Sequence, residues 1–252
     1  MSHEEWLAFA EQQRALGADL CKTISPRAET NQELVMALLY ARAFQSFQAT
    51  LLLAQAGLMG DARATVRSAV ESAVAIVATA RDPSFVERLI EADTYRRVAW
   101  ARITLGDPSL HADLSAEQLQ NLRDLVDDAT QSAHKSRPIN WEQVAANNET
   151  KALYHTHYRN MSWHLHVGIE SLNTFAVTTP EQKIIGIRWE ADQSGFAQPV
   201  SAACDALFWA SAAVSEFFRL TDIAQQIKVQ HRAFAEMLEL GPAPSTTDSA
   251  RD

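Results

Sequence analysis

Between Tyr154 and Gly168 the chain reads YHTHYRNMSWHLHVG, and four of its eight histidines fall inside that stretch. Imidazole is the side chain whose ordinary titration range brackets neutral pH, so it can give or take a proton during a reaction. The guanidinium of Arg159 adds a planar fork of donors that matches the oxygens of phosphate or carboxylate. Such groups together suit proton transfer beside a bound anion. On an unbroken helix turning about 100° per residue, His155, Ser162, His166, Glu170 and Asn173 all fall within about 60° of Arg159. Tyr154, Tyr158, Met161, Leu165, Ile169, Leu172 and Ala176 form the adjoining apolar face, while His157 and His164 point elsewhere. His166 lies about 20° from Arg159 and His164 about 140° away, so His166 is the candidate acid/base. If Arg159 sits in a loop instead, His164 returns as the alternative.

Metal chemistry is disfavoured by the spacing. His155/His157 and His164/His166 are i,i+2 pairs, which diverge on a helix and cannot chelate together. Only His166 and Glu170 have workable i,i+4 spacing, and two ligands fall short of a site. The expectation is a chain with no metal and no cofactor. Upstream, Arg67 and Glu71 stand one turn apart on a stretch that is small or apolar nearly all round from Ala69 to Ala80. A buried ion pair adds little net stability, because desolvation offsets the attraction, so this pair is a candidate for placing a ligand or its neighbours. An exposed salt bridge or a structural tie is the competing interpretation.

The elements that must position these residues read as helices. The chain has 252 residues but only 8 Gly and 8 Pro, too few turn formers for extended structure. About seven helices are expected: Glu4 to Thr23; Thr30 to Gln55; Asp61, as N-cap, to Ala80; Pro83 to Leu105; Ala116 to His134 behind a Ser115/Gln118 capping box; Glu149 to Val177 as one long helix; and Pro199 to Leu240 as another. Arg137–Asn147 reads as a loop. Residues 182–190, with Ile184, Ile185, Ile187 and Trp189, suit a short strand or hairpin. The whole makes an all-α single helical bundle over 1–240, with 241–252 a disordered tail.

Bulk properties narrow the partners. A net charge of −9 excludes a surface that coats nucleic acid through bulk electrostatics, although RNA at one small site remains compatible. Residues 149–192 carry four fixed cations, Lys151, Arg159, Lys183 and Arg188, against five acids. The two cysteines, Cys21 and Cys204, lack metal-site or disulfide-framework spacing. No secretory signal and no membrane span are expected, and a cytoplasmic location follows by default.

Two resemblances attach to these residues. Arg159-Asn160 followed by His164 or His166 resembles the Arg-x(4–6)-His motif of HEPN domains, helical bundles that bind nucleotides. Arg67-x-x-x-Glu71 ahead of Tyr158-Arg159-x-x-Ser162-x-x-x-His166 is similar to a bacterial all-helical family of unknown function, over most of Ala41 to Phe217. The HEPN resemblance implies a metal-independent endoribonuclease, of the toxin or phage-defence kind. His166 would then act as acid or base, Arg159 would hold the scissile phosphate, and Asn160 would serve as a polar neighbour. Arg67 and Glu71 would orient that pair, and Ser162 would bond substrate or His166. It also implies a homodimer with the two motifs facing. The alternative is a non-enzymatic helical dimer that binds a protein or small ligand in the same cleft.

Overall fold

A computed structural model describes residues 2–131, 137–162, 169–181 and 183–239, apart from the side chains of Pro26 and Glu170. Helix α1 spans His3–Ile24 and α2 spans Asn31–Gln55, each opened by a capping box. In both, a hydroxyl (Ser2, Thr30) accepts the N–H of a glutamate three residues on, and that glutamate accepts the cap's own N–H. Gly57 closes α2 in the left-handed region, at φ +76, with Leu58 N–H bonded to the Leu53 carbonyl and Gly57 N–H to that of Ala54. A Cβ here would also come within 2.9 Å of the Ala191 Cβ and the Asp192 nitrogen. That turn delivers the chain directly into α3, Met59–Arg81. Asp61 therefore lies in the first turn of α3, not at its N-cap, which Leu58 occupies without a side-chain bond.

Helix α3 is the centre of the molecule. It packs between α2 and α10, Ala197–Phe217. Ala69, Val70, Ala73, Val74, Ala75, Ile76, Ala78 and Thr79 are all buried, as expected for a stretch apolar nearly all round. Small side chains let α2 and α10 approach closely, and a buried bond of 2.8 Å between the Tyr40 and Ser211 hydroxyls ties those two helices together. Burial raises the Tyr40 phenol well above its usual range, so that hydroxyl stays neutral. Helix α4, Phe85–Gly106, carries α5, Ala116–Gln131, which has no buried residue. The Ser115/Gln118 capping box is present.

The described residues hold about 9–10 helices where about seven were expected, because an expected loop is partly helical and two expected long helices are broken. The loop expected at Arg137–Asn147 contains α6, Trp141–Asn147, with Asn140 as its cap. The single helix expected from Pro199 to Leu240 is two, α10 and α11, the latter Thr221–Glu239. In both cases a helix ends on a non-glycine residue in the left-handed region, Glu149 at φ 62 and Arg219 at φ 55. Thr150 N–H bonds back to the Ala145 carbonyl, and Leu220 N–H to that of Ser215, the same wrap seen at Gly57.

The long helix expected from Glu149 to Val177 is also not continuous. Lys151–Leu153 (α7) and Asn160–Ser162 (α8) are α-helical, and Tyr154–Arg159 between them winds as a π-helix. Ile169–Asn173 (α9) is followed by strands β1, Ala176–Thr178, and β2, Ile184–Ile187. These pair as one short antiparallel hairpin, where a strand or hairpin was expected. Among the described residues no helix is long and apolar enough to cross a membrane. The tail 241–252 lies outside the described residues.

Candidate functional site

Arg67 and Glu71 project from the middle of α3 toward the π segment, which packs across that helix. Arg67 Nε donates to Glu71 Oε1 at 3.2 Å, and the two side chains retain 31% and 30% of their exposure. The pair is therefore neither sealed in the core nor free in solvent. A third member joins it from 87 residues away: the buried Tyr158 hydroxyl donates to the same Glu71 oxygen at 2.8 Å. The Arg67 guanidinium lies over the Tyr158 ring, 4.7 Å from its centroid, and Tyr154 stacks on the ring's neighbourhood at 4.5 Å and 18°. A cation on an aromatic face adds about 0.5–1 kcal/mol at half-open sites.

Electrostatics bind the cluster further. Burial, then the bond to Glu71 and that residue's charge, push the Tyr158 phenol far above its usual range. Tyr158 is thus a fixed donor at any ordinary pH. Tyr154 is also raised, by burial first and by the Glu142 carboxylate second, while the charges of Arg159 and Arg67 pull it back. One ring therefore senses Arg159, Arg67 and Glu71 together. Arg159 itself is exposed and pairs with no acid among the described residues.

The remaining predicted residues fall as follows. Ser162 Oγ donates to the Tyr158 carbonyl at 2.6 Å, which leaves its lone pairs, not its proton, for any other partner. Asn160 is exposed, and its amide bonds back to the Thr156 carbonyl at 2.8 Å. His164 and His166 lie outside the described residues, as does the side chain of Glu170. The π winding turns the chain through fewer degrees per residue, so positions before Arg159 leave the face that regular spacing assigns them. His155 faces Glu142 at 3.8 Å instead of joining the cluster. His157 bonds Asp205 of α10 at 2.9 Å, a half-buried tie between elements.

Two partners were not expected from the residues' spacing. Tyr158 reads as part of an apolar face, and the available signal was chemical: a buried phenol needs a hydrogen-bond partner. Asp205 had a clearer one, as the single charge in the apolar run from Ala197 to Ser215. Among the described residues no group of three His, Cys, Asp or Glu side chains is placed to hold a metal ion.

Fold and cluster together define a helical bundle in which a central helix and a π-wound segment share an Arg–Glu–Tyr cluster beside an open arginine. The chain belongs to a family of unknown function, DUF5677, whose model matches residues 33–184, more than half of its length. Arg67, Glu71, Tyr158, Arg159, Ser162 and His166 all lie within the matched range. No curated protein and no solved structure matches the chain.

Proposed function

We propose that this chain is a HEPN-like endoribonuclease that works without a metal ion. His166 is its acid/base, and Arg159 holds the scissile phosphate. The supporting observation is the position of Arg159. It is an exposed guanidinium with no acid partner among the described residues, and its charge reaches the same Tyr154 ring as those of Arg67 and Glu71. Such an arginine is free to grip an incoming phosphate, while Glu71 and the Tyr158 ring hold Arg67 as a second, half-open cation. Proton transfer from the ribose 2′-hydroxyl to imidazole, and from imidazole to the leaving 5′-oxygen, completes a transesterification that needs no other reactant. Asn160 and Ser162 flank the arginine as supporting polar groups.

A second reading is a non-enzymatic dimer that binds a protein or small ligand at this cluster. It is favoured by one feature: Glu71 Oε1 accepts from both Arg67 and Tyr158, an arrangement that also locks the π segment onto α3. Cleavage of a labelled RNA in excess chelator separates the two. Wild type should cleave, with His166→Ala and Arg159→Ala each lowering the rate by about a hundredfold or more. Equal rates in wild type and His166→Ala, or no cleavage by either, would sink the nuclease and leave the binding module. Cleavage abolished by chelator would overturn the metal-free mechanism.

A further inference from the structure

Outside the cluster, a groove runs between α10 and α11. It encloses about 630 Å³, a size suited to a small molecule. Its floor is apolar: Phe208, Trp209, Ala212 and Ile227. Ala212 is exposed although Ser211 and Val214 close to it on the same helix are buried, so no element among the described residues covers it. Along one wall stand Lys228, His231 and Arg232, all exposed and all from α11. Lys228 and Arg232 are one turn apart on a single helix face, and the His231 ring meets the Phe208 ring edge-on at 5.2 Å and 90°.

Charge makes this groove unusual for this chain. The protein carries 31 acids against 22 lysines and arginines, yet among the described residues no carboxylate lines the groove. Neither Lys228 nor Arg232 forms an ion pair among the described residues. A second stretch continues past Ile227 and Lys228 toward Leu220 and Ala224, adding a third cation, Arg219, and one acid, Glu216. An apolar floor, with an unpaired cationic rim at one side, matches a molecule that is apolar along its body and anionic at one end. Small anions alone would gain nothing from Trp209 and Phe208, and a neutral apolar chain would gain nothing from Lys228 and Arg232.

We propose that this groove binds a small amphiphile bearing a single carboxylate. Its tail lies along Phe208, Trp209, Ala212 and Ile227, and its head lies between Lys228 and Arg232. The site is separate from the Arg67–Glu71–Tyr158 cluster and does not depend on the function proposed there. Decanoate and 1-decanol serve as probes, titrated into the full chain and followed by tryptophan emission and calorimetry. Decanoate should bind at one site and shift the emission, with the shift lost in Trp209→Phe. Ala212→Trp, which fills the floor from an exposed position, should abolish binding at an unchanged melting temperature. The double variant Lys228→Glu/Arg232→Glu should weaken decanoate about tenfold while changing 1-decanol by less than about twofold. The proposal is overturned if wild type does not bind decanoate, or if the double variant binds it unchanged. It is equally overturned if the groove proves to join two copies of the chain, seen as a dimer that Ala212→Trp dissociates.

Discussion

Tyr158 shows how much one hydroxyl can do at this site. It is buried on the α3 side, donates to Glu71 and carries Arg67 on its ring face. Replacing it with Phe keeps the ring and removes only the donor, leaving Glu71 bonded to Arg67 alone. The expected loss is about 1 kcal/mol, the net value of a typical hydrogen bond. The same residue predicts a pH dependence. Its folded pKa is raised above the ordinary tyrosine value of 10.0, as are those of Tyr40 and Tyr154. A raised folded pKa means that the stabilisation is fully present below the unfolded pKa and is lost as pH climbs toward the folded one. Wild type should therefore lose stability above about pH 10, and Tyr158→Phe should lose less over the same interval. Thermal melts of both proteins between pH 9 and pH 11 check this, using their difference so that other titrating groups cancel. Parallel curves would mean that Tyr158 is not the coupled group.

Among the elements, the helix ends separate what could be seen in the residues from what could not. Capping boxes at Ser2, Thr30 and Ser115, and the glycine turn at Gly57, use residue types that announce themselves, and the expected ends at Glu4, Thr30, Gln55 and Ala116 lie within one residue of those observed. The ends at Glu149 and Arg219 use the same backbone wrap with side chains that disfavour it, so nothing in the local sequence marks them. Tertiary contacts offset that strain. The Phe218 carbonyl accepts from Arg27, and Glu149 reaches Arg81 at 2.8 Å. The π winding at Tyr154–Arg159 is illegible for a related reason, since its residues are ordinary and its ties, Tyr158 to Glu71 of α3 and His157 to Asp205 of α10, reach across long stretches of chain. Arg67 and Glu71 were legible because their spacing is local, whereas Tyr158 and Asp205 met their partners across long stretches of chain. A substitution tests the account of these ends. Arg219→Gly relieves the left-handed strain and should stabilise the protein by about 0.5–1 kcal/mol, read as a shift of the urea midpoint at constant slope. A lower midpoint would show that contacts of the Arg219 side chain outweigh its backbone strain.

For the whole molecule, the apolar surface left uncovered bears on the dimer that the nuclease reading includes. Ile169, Phe175, Ile184, Ile185, Ile187 and Trp189 are all more than half exposed, and Trp189 reaches 80%. They lie on α9, on the β hairpin and in the segments beside it, and Ile169 follows directly on the residues that carry His166. Monomeric proteins rarely leave so many large apolar side chains together in water, and such surfaces mark interaction sites. Strand β2 also has one edge without a partner strand among the described residues, which a second copy can extend by backbone pairing. A second copy docked there would form the homodimer that the nuclease reading includes. Ile187→Lys/Trp189→Ser places charge and polarity on that surface without touching the α2–α3–α10 core. Sedimentation should show wild type as a dimer and the variant shifted toward monomer, with a melting temperature that loses its dependence on protein concentration. RNA cleavage should fall in the same variant while Arg67, Glu71 and Tyr158 remain in place. A wild type that sediments as a monomer at every concentration would remove the paired-motif arrangement, and any activity would then belong to a single chain.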